Sequence, residues 1–269
     1  MSSSRSEDQD QTEILIDDVL HGEKNKVPHG GKKIDKYVVS PNMACIATLS
    51  CKDKSIVVWI VTKTFTKDPV VKYDSSLNVN DLECALNSDN FCKDPDFKFE
   101  SLFSDYELAG ISDCKHVILI LNINYFEMDF AIIDTTTKLR QTLSAQGLEG
   151  YIDSIAFLEN GDLAIIKGNP IYRAYIFSRS NSSGKHKWTC KNSIELEKFQ
   201  SCYISKKGKL FMNFNMSFVV TQWDLITRKF DMQYIINWDL TTYDLLDLKI
   251  ELNGDNTLLA MTKYLGESK

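Results

Sequence analysis

The 269-residue sequence carries 31 basic and 37 acidic side chains, a net charge of -6, and 43% of its residues are hydrophobic. A chain of this length and composition can bury a sizeable core, which excludes wholesale disorder. Its negative charge repels a phosphate backbone, so we expect no nucleic acid partner. The longest apolar runs, Ile56 to Val61 and Val117 to Leu121, are far shorter than the roughly 20 residues of a membrane-spanning helix.

Residues 1–36 differ from the rest of the chain, because charged residues, Ser and Gln dominate them. This composition predicts a flexible N-terminal tail. Its first 18 residues hold six acids and one base, whereas residues 19–36 hold five bases and two acids. The apolar residues within 13–20 form a candidate strand for closing a ring.

From Tyr37 onward a unit recurs that consists of short apolar strands separated by turns. Equivalent positions at the first turn of each unit are Ser40, Ser112, Leu158, Ser205 and Leu252. Three of the four spacings are 46 or 47 residues, and the first is 72. A period in the mid-forties built from short strands is typical of the four-stranded blades of a β-propeller. The pattern predicts an all-β fold over residues 37–269 with about five repeat units, the last one truncated.

The first unit, from Ser40-Pro41-Asn42 to Val57-Val58-Trp59, resembles a WD40 repeat. Val220 to Thr227 contains the Trp223-Asp224 pair that gives this family its name, and Ile132-Ile133-Asp134 is similar, with Trp replaced. The resemblance implies a WD40-like β-propeller. Members of the family commonly have seven blades, so we expect an incomplete or open ring, with the N-terminal tail as a candidate for closing it.

The resemblance also implies a hydrogen-bond network of the Asp-His-Ser/Thr-Trp type. Asp53 and Trp59 match two of its members, and Ser50 is a candidate for the third. The Gly-His pair that normally begins each repeat is absent, and no histidine is assigned to the network. We therefore expect an incomplete network in which Trp59 and Trp223 act mainly in packing.

The excess in the first spacing falls at about residues 74–107, where the alternating pattern dissolves. This segment holds nine acids and two bases, which predicts an acidic loop insertion. Its carboxylates are candidates for binding a basic partner protein; the alternative is a solvated insertion without a partner. The candidate binding residues are Asp81, Glu83, Asp89, Asp94 and Asp96.

No catalytic, metal-binding or cofactor-binding motif is recognised in the sequence. The seven cysteines form no CxxC pair and follow no secretory signal, which indicates reduced thiols and a cytoplasmic protein. Asp89 and Glu100 have the spacing of a calcium loop, but Asp94 stands where that loop needs Gly. His116 precedes five apolar residues, which favours the start of a buried strand over a general base.

The fold and the missing motifs favour a non-enzymatic scaffold for protein–protein interaction, with an unidentified partner. Two alternatives belong to other classes. The sequence is also similar to fungal WD40-like proteins, some of which carry a membrane ion-transport domain after the propeller, so the chain could be the cytoplasmic part of such a protein. A propeller enzyme is the third hypothesis, and the strands offer few polar residues for it.

Overall fold

The computed structural model of the protein describes residues 27–62, 69–87, 106–124, 127–145, 148, 151–168, 171–180, 187–199, 201–214, 219–235, 248–252 and 259–263. Regular structure in these ranges is almost entirely β. The exceptions are a 3-10 helix at Pro28–Gly31 and one α-helix, α1 (Val79–Asn87). Neither helix has the length and apolar character needed to cross a membrane.

The strands form successive antiparallel units that follow chain order, as the repeat period predicts. The first blade contains β1 (Lys36–Val39), β2 (Cys45–Ser50), β3 (Ser55–Thr62) and β4 (Val70–Leu77). The second contains β5 (Tyr106–Ile111), β6 (His116–Asn124), β7 (Glu127–Asp134) and β8 (Leu139–Ser144). The third contains β9 (Tyr151–Phe157), β10 (Leu163–Gly168), β11 (Tyr172–Ser180) and β12 (Lys187–Leu196). The fourth contains β13 (Ser201–Ile204), β14 (Lys209–Asn213), β15 (Val219–Asp224) and β16 (Lys229–Ile235). A last antiparallel pair consists of β17 (Leu248–Leu252) and β18 (Leu259–Lys263).

Neighbouring blades pack face to face around their innermost strands. Strand β1 contacts β5, β5 contacts β9, and β9 contacts β13. At the outside, β8 and β12 pair in parallel, which joins the second and third blades into one eight-stranded sheet. This arrangement of four-stranded blades is that of a β-propeller.

Three apolar clusters fill the spaces between blades, and the period-2 geometry of a strand explains how one strand serves two of them. Leu163 and Ile165 on β10 point into the cluster shared with the second blade. Ala164 and Ile166, which alternate with them, point into the cluster shared with the fourth blade. A blade buried on both faces therefore needs continuous apolar runs, and all six residues of β10 are buried.

The turns between the first two strands of each blade are built alike, which confirms the equivalence of the repeats. In the first four blades, the backbone N–H of the residue before the turn, Ser40, Ser112, Leu158 or Ser205, donates to the carbonyl of the residue that follows the turn. Each turn contains one residue with positive φ, which is Met43 (57°), Lys115 (64°), Gly161 (82°) or Gly208 (77°). The first turn is one residue longer than the others, because Ala44 lies between Met43 and Cys45. Strand β17 ends at the fifth position, Leu252.

Part of the predicted tail packs onto the first blade, contrary to expectation. His29 is only 4% exposed, and Asp35 N–H donates to the carbonyl of Leu49 at 2.8 Å. Composition concealed this because the segment is held by hydrogen bonds of one histidine ring and of the backbone rather than by an apolar run. The candidate closing strand at 13–20 lies outside the described residues.

The predicted acidic insertion begins inside the first blade and continues into α1, so its first part is not a solvated loop. Leu77, at the end of β4, is fully buried. Leu82 and Leu86 on α1 are buried in the cluster between the first two blades. These leucines lie four residues apart and therefore share one face of the helix. Residues 88–105 lie outside the described ranges.

Candidate functional site

A buried hydrogen-bond network joins the segment before the first strand to the first blade. The ring of His29 lies between two hydroxyls: Nδ1 is 2.7 Å from Ser55 Oγ, and Nε2 is 2.8 Å from Thr48 Oγ1. Trp59 Nε1 donates to Thr48 Oγ1 at 2.9 Å. At the other end, Ser55 Oγ donates to Asp53 Oδ2 at 2.7 Å.

The chemistry of the end groups orients the whole network. An indole N–H can only donate, and an ionised carboxylate can only accept. Thr48 Oγ1 lies 3.3 Å from the Val57 carbonyl and 2.8 Å from His29 Nε2, so we assign its single proton to the shorter bond. The neutral His29 tautomer with its proton on Nδ1 then completes one continuous direction of donation, from Trp59 through Thr48, His29 and Ser55 to Asp53. Burial lowers the pKa of His29, and the charges of Asp53 and Asp35 oppose that effect without reversing it. The lowered pKa favours the neutral ring that this direction requires.

The expectation of an incomplete network was therefore wrong. His29 supplies the missing histidine, Thr48 takes the position considered for Ser50, and Ser55 is inserted between the ring and Asp53. The histidine escaped notice because it precedes a glycine, in the order His29-Gly30, instead of following one. A histidine 19 residues before Thr48 and next to a glycine was the available signal.

A second group of contacts links the inner turns of several blades at the opposite end of the strands. Asn42 Nδ2 donates to Asp113 Oδ2 at 2.8 Å in the second blade and to the Glu159 carbonyl at 2.9 Å in the third. Glu159 N–H donates to the carbonyl of Lys206, in the fourth blade, at 2.8 Å. We call the surface formed by these turns the inner-turn face. Its exposed tips are Asn42, Met43, Cys114, Asn160 and Lys207.

A charged side chain stands at a bulge in the outer strand of three blades. The strand registers skip Asp74, Lys191 and Asp231, opposite the third strand of the first, third and fourth blades. Each pairs with the beginning of a second strand or with its turn: Asp74 with Lys115 at 2.6 Å, Lys191 with Asp162 at 3.0 Å, and Asp231 with Lys209 at 2.7 Å. In the first and fourth blades, bulges and charges of this kind oppose edge-to-edge pairing of the outer strand, whereas β12 of the third blade pairs with β8.

In the fourth blade, the lysine that pairs with Asp231 contacts a second carboxylate. Lys209 Nζ also donates to Asp224 Oδ2 at 2.8 Å. Burial lowers the pKa of Lys209, but the hydrogen bonds and charges of Asp224 and Asp231 outweigh it and raise that pKa. Hydrogen bonds from Lys209 and Gln222 lower the pKa of Asp231. Asp224, the acid of the Trp-Asp pair, also accepts from the backbone N–H groups of Ile226 and Thr227, both at 2.8 Å.

Ser112, His116 and Asp134 form an arrangement that superficially matches a hydrolytic triad. Ser112 Oγ lies 3.2 Å from His116 Nδ1, and His116 Nε2 lies 3.8 Å from Asp134 Oδ2. All three residues are at most 5% exposed, so the Ser112 hydroxyl is withdrawn from the surface. Ser112 Oγ accepts a hydrogen bond from the backbone N–H of His116 at 3.0 Å. Ser40 Oγ and Ser205 Oγ accept the equivalent backbone hydrogen bonds in their own turns. We assign these residues to the architecture of the turn.

The acidic residues singled out in the sequence divide into two groups. Asp81 and Glu83 lie on α1 and are half-buried. Asp81 Oδ2 accepts from the backbone N–H of Asn78 at 3.1 Å, and Asn78 Oδ1 accepts from the backbone N–H of Asp81 at 3.0 Å, so the two residues cap the helix reciprocally. Asp81 Oδ2 also accepts from Lys138 Nζ at 2.8 Å, which joins the helix to the second blade. Asp89, Asp94 and Asp96 lie outside the described residues. Within the described ranges, no three His, Cys, Asp or Glu side chains are grouped to hold a metal ion.

No protein-family model matches the sequence, and no curated protein matches it. Among the solved structures that are similar to the chain at low identity are the following three. The alignment with KlHsv2, in which loop 6CD is replaced by a Gly-Ser linker, has 13% identity, a TM-score of 0.46, and covers 84% of this chain and 57% of that one. The alignment with the β-propeller domain of Cps50 (Swd1) from Myceliophteria thermophila has 11% identity and a TM-score of 0.39, and it covers 76% of this chain and 73% of that one. The alignment with the Dos1 propeller has 10% identity and a TM-score of 0.40, and it covers 78% of this chain and 59% of that one. The chain thus spans less than two thirds of two of these structures, and its fold assignment rests on its own blades and turns.

Proposed function

We propose that the chain is a non-enzymatic scaffold for protein–protein interaction. The inner-turn face carries this proposal, because Asn42 connects the first blade to both the second and the third. Such cross-links hold the turns in one arrangement before a partner arrives, which reduces the entropy lost on binding. Met43 is 55% exposed on this face and offers an apolar, adaptable contact.

The inaccessible Ser112 hydroxyl supports a role in binding over catalysis. General acid–base chemistry needs a positioned group within reach of a substrate. The Ser-His-Asp arrangement of the second blade lacks that access. A cytoplasmic location accords with the unpaired cysteines at Cys51 and Cys114, both exposed, because exposed thiols persist in a reducing compartment.

The acidic segment is a second surface for the proposed scaffold. Asp81 has local partners, which leaves Glu83, Asp89, Asp94 and Asp96 as the carboxylates proposed to face a basic partner protein. Replacing these four by their amides removes the negative charge without adding bulk. The helix-capping Asp81 stays unchanged in this variant, so that lost binding is not caused by a lost helix.

Site-specific photo-crosslinking in cell extract tests the scaffold proposal. A photoreactive residue replaces Asn160 or Lys207 on the inner-turn face, and the matched controls carry it at Glu197 or Lys198, which are exposed just after β12, at the opposite end of the strands. We expect a discrete crosslinked protein from the first two positions only. Equal crosslinking from all four positions, or none from any position, would contradict the proposal.

A further inference from the structure

We propose that the first blade binds a short acidic segment of a partner protein through a cluster of lysines, which we call the lysine rim: Lys32, Lys33 and Lys52. The rim lies at the end of the blade opposite the inner-turn face, beside the turn between β2 and β3. This inference rests on the proposed scaffold function and adds a third surface, for which the partner chemistry is defined.

Two segments form the rim, and hydrogen bonds hold them together. Asp35 Oδ2 accepts from the backbone N–H of Cys51 at 2.7 Å, which joins residues 32–36 to the turn at 51–54. Lys33 is two residues from this bond and Lys52 is one residue from it. Their Cα atoms are therefore within about 17 Å of each other, a span of about five extended residues.

The backbone of the rim is fixed before any partner binds. His29 is anchored to Ser55 and Thr48, and the Lys32 N–H donates to the His29 carbonyl at 2.8 Å. Gly30 lies against Asp53, because a Cβ added there would be 3.1 Å from Asp53 Oδ1. The buried network thus gives a fixed base to a surface whose side chains point to solvent.

The carboxylates near the rim balance only part of its positive charge. Residues 27–36 and 51–54 contain five lysines and two carboxylates, Asp35 and Asp53. Both carboxylates accept hydrogen bonds inside the structure, from Cys51 N–H and from Ser55. Lys36 pairs with Glu107. Among the described residues, the ammonium groups of Lys32, Lys33 and Lys52 form no ion pair or hydrogen bond.

Exposed apolar side chains beside the lysines narrow the class of partner. Val27 is 55% exposed and Ile34 is 37% exposed. A segment that alternates acidic and apolar residues would match both the charges and these side chains. An anionic membrane fits less well, because the net charge of -6 repels an extended negative surface, whereas a short peptide meets the rim alone.

The test measures fluorescence anisotropy of a labelled peptide that alternates Glu and Leu. The rim variant is Lys32→Glu with Lys33→Glu and Lys52→Glu. Its matched control is Lys72→Glu with Lys198→Glu and Lys229→Glu, three exposed lysines elsewhere without an ion pair among the described residues. Each exchange lowers the net charge by two, so both variants change from -6 to -12. Further arms use the same peptide with Gln for Glu, inorganic phosphate, and phosphatidylserine vesicles.

We expect the rim variant to bind the acidic peptide about tenfold or more weakly than the control variant, and added salt to weaken the wild-type complex. The Gln peptide and phosphate should not compete. Equal binding by the two variants, no binding by wild type, or binding to vesicles but not to the peptide would overturn the inference. If the rim variant does not fold, Lys→Gln replacements at the same positions repeat the test. Crosslinking from the inner-turn face should be unchanged in the rim variant, so either proposal can fail alone.

Discussion

Nε2 of His29 lies 2.8 Å from Oγ1 of Thr48, and the same hydroxyl accepts a hydrogen bond from Trp59. One side chain from the segment before the first strand therefore completes the interior of the first blade. These hydrogen bonds should also contribute to the free energy of unfolding, because the ring, the two hydroxyls and the indole are all withdrawn from water.

A double-mutant cycle measures this connection. We expect His29→Ala and Thr48→Val to show a coupling energy of about 1–2 kcal/mol in urea unfolding, because each removes the same buried hydrogen bond. The matched control is Thr221→Val in the fourth blade, where Thr221 also accepts from a tryptophan, Trp223, but has no histidine. Coupling between His29→Ala and Thr221→Val should be near zero. Equal coupling in both cycles would mean that His29 acts only through general packing.

The neutral state of His29 should make stability depend on pH. Its folded pKa is below the ordinary value of 6.5, chiefly because of burial. The folded state thus binds the proton less readily than the unfolded chain. Its contribution to stability is fully present above pH 6.5 and is lost as the pH falls through the lowered pKa. We expect His29→Gln to reduce the loss of unfolding free energy between pH about 8 and about 5.5. Parallel losses in the variant and wild type would contradict this assignment.

Gly168 is a position where a methyl group cannot be accommodated. A Cβ there would lie 2.3 Å from Cδ1 of Tyr172, whose ring packs on Phe199 with centroids 4.7 Å apart. We expect Gly168→Ala to lower the free energy of unfolding by about 1–3 kcal/mol. Gly110→Ala is the control, since its nearest contact would be an ordinary 3.5 Å. Tyr172→Ala should lower the free energy of unfolding by less in the Gly168→Ala background than in wild type, because it removes the clashing ring. If the two destabilisations simply add, the clash does not exist.

The charged bulge of the fourth blade should stabilise the protein at neutral pH and lose this effect in acid. The pKa of Asp231 is lowered by its hydrogen bonds from Lys209 and Gln222, so its stabilising effect is present above the ordinary pKa and is lost as pH falls through the lowered one. We expect Asp231→Asn to cost about 0.5–1 kcal/mol at neutral pH and less in acid. Glu197→Gln serves as the control, because Glu197 is exposed and has no ion pair among the described residues. A pH-independent difference for Asp231→Asn would contradict this role.

The sequence predicted the repeat period better than it predicted the contacts between repeats. Ser40, Ser112, Leu158 and Ser205 could be aligned because each turn repeats the same local geometry at nearly equal spacing. The role of His29 depends on contacts with residues 19 and 26 positions away, which no local pattern encodes. Helix α1 was detectable from the spacing of Leu82 and Leu86, but the surrounding acids suggested a loop.

The charged bulges show a different limit. Asp74, Lys191 and Asp231 occupy equivalent places, yet they differ in sign and pair with different partners. Their equivalence lies in the strand register, which becomes visible only when the sheet is formed. The contacts of Asn42 were likewise not predictable from the sequence, because its two partners belong to two other blades.

The central claim is that the blades converge around their innermost strands, and its most direct test joins Asn42 to Glu159. Asn42 Nδ2 and the Glu159 carbonyl are 2.9 Å apart, although the residues are 117 positions apart in the chain. Asn42→Cys and Glu159→Cys are introduced together with Cys114→Ser, which removes the exposed thiol beside Asp113. A short bismaleimide reagent and peptide mass spectrometry should reveal a crosslink between positions 42 and 159, and the variant without Glu159→Cys should lack it. A folded double-cysteine protein that gives no such crosslink would contradict the convergent arrangement of the blades.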